Sequence, residues 1–117
     1  MNIVGEIKSY LGEDDYAQLK FSETKSSFSI DIVAVPPAHR NQGIGKMLIN
    51  HILMLAEMMR KDVYVSARPI GPFCEDRLEG LIVYYQKFGF EVIDRGLTVA
   101  YMFRKTSKRE EQNSLDS

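Results

Sequence analysis

Between Phe28 and Ala67 the hydrophobic period changes twice, and this limits the possible architectures more than any other feature of the chain. Phe28 to Val35 carries alternating and β-branched residues and stops at Pro36-Pro37, because proline cannot donate to a strand ladder. From Gly43 to Lys61 the pattern turns helical. Ile44, Leu48, Ile52, Leu55 and Met59 recur on one side, Lys46, Asn50, Glu57 and Lys61 mark a polar face, and Met47, Ile49, Leu53 and Met54 widen the apolar one. Asp62 to Ala67 returns to a short strand. A strand, a helix broad enough to lie on a sheet and a second strand imply a parallel crossover.

The flanking segments fit the same sheet. Asn2 to Leu11 and Tyr16 to Ser22 enclose the turn formers Gly12-Glu13-Asp14-Asp15 and read as a hairpin, which makes an antiparallel meander with Phe28 to Val35. Arg68-Pro69-Ile70-Gly71-Pro72 breaks the pattern after the crossover. Asp76 with Glu79 three residues on has the character of a capping box, Leu81, Ile82 and Tyr85 give the helix that follows an apolar face, and Gly89 can end it in the left-handed conformation. Glu91 to Asp94 and Leu97 to Arg104 read as closing strands around Arg95-Gly96. Beyond them, Lys105 to Ser117 holds only Leu115 as an apolar residue and reads as a disordered tail, so residues 1–104 form one domain. The fold class expected is α/β (α+β), with a mixed central sheet.

At 117 residues, with 44% hydrophobic and 26% charged side chains, the chain supports one core and a folded state. Fifteen Lys and Arg against sixteen Asp and Glu give a net charge of -1, too little field for nonspecific nucleic-acid or membrane binding. Cys74 stands alone, so neither an internal disulfide nor a cysteine-rich metal site is expected, and a reducing compartment fits. The first residues lack the apolar core of a signal peptide, and no run reaches the roughly 20 apolar residues of a membrane helix. A cytoplasmic protein without a metal is the plain expectation.

Chemistry concentrates at Val35-Pro36-Pro37-Ala38-His39-Arg40-Asn41-Gln42-Gly43-Ile44-Gly45-Lys46. A strand ends, a polar turn follows, and two glycines open a long helix, placing unpaired N–H groups at its positive end with no side chain in the way. Arg40 adds a fork of donors suited to a phosphate. Glycines in such a turn can also serve packing alone. A Walker loop does not fit, since Gly45-Lys46 is followed by Met47, and a dinucleotide fingerprint does not fit because Leu48 stands at its third small position.

Arg40-Asn41-Gln42-Gly43-Ile44-Gly45 resembles the R/Q-x-x-G-x-G/A motif of the GNAT superfamily of acyl-CoA-dependent N-acyltransferases, and Tyr85-Gln86-Lys87-Phe88-Gly89-Phe90 resembles that family's later Tyr-x-x-x-Gly-Phe segment. The two blocks stand in the family's order, and the resemblance covers Phe28 to Arg104. It implies transfer of an acetyl group from acetyl-CoA to a primary amine by direct attack in a ternary complex. Backbone groups of Val33, Ala34 and Val35 would pair with the pantetheine arm, and Arg40, Asn41, Gln42, Gly43, Ile44, Gly45 and Lys46 would surround the pyrophosphate. Tyr85 matches the general acid for the departing thiolate; a phenol of pKa about 10 against a thiol of about 8.5 is uphill by only about 2 kcal/mol. Asp31 stands where many relatives carry a Glu acting as base through water. Alternation places it opposite Ile30 and Ile32, and a solvated strand acid is an equal reading of it. His39 reads as peripheral, His51 as surface, and Cys74 as a structural thiol.

Two departures from the family matter. Leu78 and Leu81 replace an expected asparagine and alanine, which removes one pantetheine contact. Relatives also begin with a strand and two helices that wall the acceptor site, where this chain has a hairpin. The acceptor side is therefore expected to be open, for a large acceptor such as a protein amine or for a second subunit of a homodimer. A catalytically silent acyl-CoA-binding or interaction module is the second reading of the same residues.

Overall fold

The computed structural model describes residues 3–12, 15–39, 42–69 and 74–106. Strands β1 (Ile3–Tyr10), β2 (Tyr16–Glu23) and β3 (Ser27–Ala34) form the expected meander. A 3-10 turn at Pro37–His39 leads into helix α1 (Ile44–Met59), then come β4 (Asp62–Ala67), helix α2 (Cys74–Gln86), β5 (Glu91–Arg95) and β6 (Ala100–Arg104). The sheet has six strands in the order β1-β2-β3-β4-β6-β5. Only β3 and β4 run parallel as neighbours, and α1 is their crossover.

Both helices lie on one face of the sheet. Leu48, Ile49, Ile52, Leu53 and Ala56 of α1 are buried against Ala17, Leu19, Phe28, Ile30 and Val63, and α2 adds Leu78, Ile82 and Tyr85 to the same core. Arg104 on β6 ties the layers together, donating from Nε to the Phe88 carbonyl at 2.8 Å and pairing with Glu57 of α1 at 3.0 Å. Arg95, on the edge strand β5, pairs with Glu79 of α2. The Arg104–Glu57 pair is largely covered by protein, whereas Arg95 and Glu79 stand more open to solvent.

Several elements differ from the sequence pattern in instructive ways. Met47, Met54 and Met59, read as part of the apolar side of the long helix, are about half exposed, because only one face of α1 meets the sheet and the apolar residues extend round beyond it. Arg60 ends α1 in the left-handed region at φ 59°, and its N–H returns to Ala56 and Glu57. Helix α2 starts at Cys74 rather than Asp76, and β6 starts at Ala100 rather than Leu97. Thr106 is fully buried, with its N–H on Asp62 Oδ1 at 3.1 Å and its hydroxyl on Glu57, so the packed domain runs past Arg104. The remainder of the expected tail lies outside the described residues.

The most consequential difference is in β3. The ladder with β2 pairs Lys20 with Ile32 and then Phe21 with Ile30, which leaves Asp31 as an extra residue in a bulge. Paired residues share a face, so Ile30 points to the helices with Phe21, while Ile32 points away with Lys20. Their burial agrees: Ile30 is 2% exposed and Ile32 45%. The expectation that Ile30 and Ile32 share a side fails because the bulge inserts one residue into the alternation. Asp31 still turns away from the helices, accepting a hydrogen bond from Ser22 Oγ at 2.7 Å.

Candidate active site

The parallel ladder between β3 and β4 ends early. Ser27 to Ile30 pair with Asp62 to Val65, and beyond them the strands separate, since Ile32, Val33 and Ala34 pair only with β2 while Ser66 and Ala67 pair only with β6. Two strand edges with unpaired backbone groups face each other across a wedge. A cleft of about 220 Å³ fills it, lined from β3 by Ile30, Asp31, Ile32 and Val33, from the end of β4 by Val65, Ser66 and Arg68, and from α2 by Leu81 and Tyr85. The cleft thus spans the sheet. Tyr85 closes it on the helix side, and Asp31, Ser66 and Arg68 stand on the other.

Tyr85 is 7% exposed, with its ring edge-on to Tyr84 and Phe90 at centroid distances of 5.5 and 5.7 Å. Burial, with a smaller contribution from Tyr84, pushes its phenol up to about 12. It is therefore both a core residue and a wall of the cleft, and it keeps its proton through the neutral range. Tyr84 is also raised by burial, and it packs on Phe88 at 5.3 Å.

At the wide end of the wedge, β3 leads to Val35 and the turn before α1. Gly43 caps the helix with φ 79°, a left-handed conformation that side chains resist, and among the described residues no side-chain hydrogen bond caps the first turn formed by Ile44, Gly45 and Lys46. Gln42 and Lys46 are exposed. A methyl group on Gly45 would meet only the Tyr84 hydroxyl at 3.6 Å and a Val35 methyl at 3.7 Å, both ordinary contacts. Glycine inside a helix costs about 1 kcal/mol relative to alanine, and the packing around position 45 does not require it.

Among the sequence-expected residues, Tyr85, Asp31 and Val33 line one cleft, and Ala34, Val35, Gln42, Gly43, Ile44, Gly45 and Lys46 follow one another from the strand edge to the helix end. Arg40 and Asn41 lie outside the described residues, as does the Cys74 side chain. Leu78 is fully buried and cannot reach a ligand, whereas Leu81 lines the cleft. His39 approaches Asp15 at 3.8 Å, and His51 is exposed. Ser66 and the Tyr84 hydroxyl were not singled out as site residues from sequence. Alternation along Asp62 to Ala67 could have marked Ser66, but the meeting of Tyr84 with Gly45 is a tertiary fact. No group of three His, Cys, Asp or Glu suited to a metal occurs among the described residues, and no helix among them is long and apolar enough to cross a membrane.

Residues 2–92 match the family model described as an acetyltransferase (GNAT) domain. No curated protein sequence matches the chain. Among solved structures, the anti-CRISPR protein AcrVA5 is similar with a TM-score of 0.61 at 24% identity, over 83% of this chain and 97% of that one. ElaA from Escherichia coli gives 0.69 at 21% identity, over 87% and 68%. The PaiA N-acetyltransferase of Thermoplasma acidophilum, solved in complex with coenzyme A, gives 0.68 at 13% identity, over 87% of this chain and 60% of that one. At these identities the likeness is one of fold.

Proposed function

The chain belongs to the acetyltransferase (GNAT) domain family, and from that premise we propose that it transfers an acetyl group from acetyl-CoA to a primary amine by direct attack within the β3–β4 cleft. The observation that supports this reading is the strand edge left where the β3–β4 ladder stops after Ile30, leading on to a helix whose N-cap, Gly43, holds the left-handed φ of 79°. The edge from Val33 to Val35 offers backbone groups to the amides of a pantetheine arm. The first turn of α1, with Arg40, Asn41, Gln42, Gly43, Ile44, Gly45 and Lys46, offers N–H groups and charge to a pyrophosphate. The Tyr84 hydroxyl, at the junction of strand edge and turn, joins this set, while the buried Leu78 leaves it.

In the reaction the amine nitrogen attacks the thioester carbonyl carbon, the N–C bond forms, and the C–S bond breaks with its electron pair going to sulfur. The amine gives up one proton, toward Asp31 or water, and the thiolate gains one. With Tyr85 at about 12 against a thiol near 8.5, full transfer to a free thiolate is uphill by about 5 kcal/mol, more than an unperturbed phenol would require. Tyr85 therefore acts chiefly as a fixed hydrogen-bond donor to the charge developing on sulfur, and yields its proton late.

Calorimetric titration of acetyl-CoA into the wild type and an Arg40→Ala, Gly43→Ala double variant tests the cofactor assignment. Saturable binding that weakens at least tenfold in the variant is expected, and equal affinity in both proteins would exclude the turn as the pyrophosphate site.

A further inference from the structure

The two edges of the sheet are built differently. Edge strand β5 has five residues, and its register against β6 shifts between Val92 and Asp94, which leaves Ile93 as an extra residue. A short, bulged edge is poorly suited to accept another strand. Edge strand β1 has eight residues, pairs with β2 from Ile3 to Tyr10 without a shift, and has β2 as its sole neighbour among the described residues. Its sequence carries no proline. The outer N–H and C=O groups of β1 thus form a regular row, the template that natural sheets otherwise blunt.

Side chains on β1 sort by face through their partners on β2. Gly5, Ile7 and Ser9 pair with Phe21, Leu19 and Ala17 on the helix side, and Val4, Glu6, Lys8 and Tyr10 pair with Ser22, Lys20, Gln18 and Tyr16 on the open side. Burial agrees, since the first three are half-buried and the other four exposed. Lys8 is held over the Tyr16 ring at 4.7 Å and lies 3.5 Å from Glu6. A strand that pairs antiparallel with a copy of itself must set each residue opposite one of the same face, which places the dyad at a residue. With the dyad at Ile7, every position from Val4 to Tyr10 finds a suitable partner. Ile7 meets Ile7, Gly5 meets Ser9, Val4 meets Tyr10, and Glu6 of each copy meets Lys8 of the other. A dyad at Glu6 or at Lys8 instead sets like charges opposite each other, which is destabilising. The small Ser9 also falls where room is least: a Cβ on Gly5 would stand 2.5 Å from Cζ of Phe21, so that ring covers the glycine.

We propose that β1 is an interface for a second copy of this chain, the two β1 edges joining antiparallel about Ile7 into one continuous sheet. The dyad closes the assembly at two copies, since the edge that remains on each is the bulged β5. Roughly six to eight main-chain hydrogen bonds form along the paired edges, within the range of about 10 ± 5 that specific interfaces carry. On the open side four charges gather at the centre, each Lys8 between Glu6 of its own copy and Glu6 of the other. The helices do not obstruct the approach. Helix α1 lies across β1 to β4, so its axis stands about two strand spacings, roughly 10 Å, from the dyad. Two such helices are about 20 Å apart, well beyond the roughly 8–10 Å of packed helices. The pairing uses no residue of the acetyl-transfer cleft.

Sedimentation equilibrium from about 1 to about 200 μM reads the association. The wild type should be a dimer at the upper end and dissociate on dilution, as fits a small interface. Glu6→Lys and Lys8→Glu should each weaken dimerisation at least tenfold, because each sets like charges opposite one another twice across the dyad. Opposite charges return in two further samples, the Glu6→Lys, Lys8→Glu double variant and an equimolar mixture of the two single variants. Both should associate within about threefold of the wild type, the mixture as a heterodimer, and recovery in the mixture shows by itself that both single variants are folded. A wild type that stays monomeric at about 200 μM would overturn the proposal. Dimers that the single substitutions leave intact would place the contact elsewhere and overturn it as well. So would single variants that dissociate while neither the double variant nor the mixture recovers.

Discussion

Single residues carry the two sharpest consequences of this geometry. Gly45→Ala adds a methyl group with ordinary contacts in a helix that favours alanine, so stability should hold or rise by up to about 1 kcal/mol in thermal melts. Alanine also satisfies the last position of the R/Q-x-x-G-x-G/A motif, so acetyl-CoA affinity should stay within about twofold in calorimetric titration. For Tyr85→Phe, the ring packing survives and the donor is lost. Turnover should drop about 100-fold in a thiol-release assay while acetyl-CoA affinity stays within about twofold. The phenol also reports on pH. Its folded value, about 12, lies above the unfolded value of about 10, so the folded protein holds this proton longer, and the associated stability is intact below pH 10 and lost as pH rises toward 12. Wild type should therefore lose up to about 3 kcal/mol relative to Tyr85→Phe across that interval, measured by urea unfolding of the two proteins side by side.

At the scale of elements, sequence period was a good guide where one face of an element was buried and a poor one where pairing decided the outcome. The long helix, the crossover and the meander were legible because apolar residues recur at 3.6 or 2 residues between clear stops such as Pro36-Pro37 and Gly89. The bulge at Asp31 was not legible. A one-residue insertion leaves the local alternation intact, and only the register against Lys20 and Phe21 reveals it. The early end of the β3–β4 ladder was likewise hidden, since no residue type marks where two parallel strands part. Yet this separation makes the cleft. The glycine turn and Tyr85 were visible as motifs, while Ser66 and the Tyr84 hydroxyl joined the site only through the fold. The helices depend on polar ties as well as on the core. Arg104→Met removes both the bond to Phe88 and the Glu57 pair, leaving a half-buried carboxylate with one partner fewer, and should cost about 2 kcal/mol in unfolding free energy.

For the molecule as a whole, the layers explain why one small domain suffices for the proposed chemistry. One face of the sheet is spent on the helices that build the core and present the turn and Tyr85. The other carries no helix among the described residues, and the wedge between β3 and β4 connects the two. Donor and acceptor can thus approach the same cleft from opposite sides. The most direct test of this arrangement is a titration of acetyl-CoA into isotopically labelled protein, followed by backbone amide resonances. Saturable shifts should concentrate at Val33, Ala34, Val35, Gly43, Ile44, Gly45 and Lys46, with smaller ones at Leu81 and Tyr85 and none along β1. Saturable shifts confined to the exposed side of α1 around Met47, Asn50 and Met54, or no saturable shifts at all, would contradict the assignment of the cleft as the site of acetyl transfer.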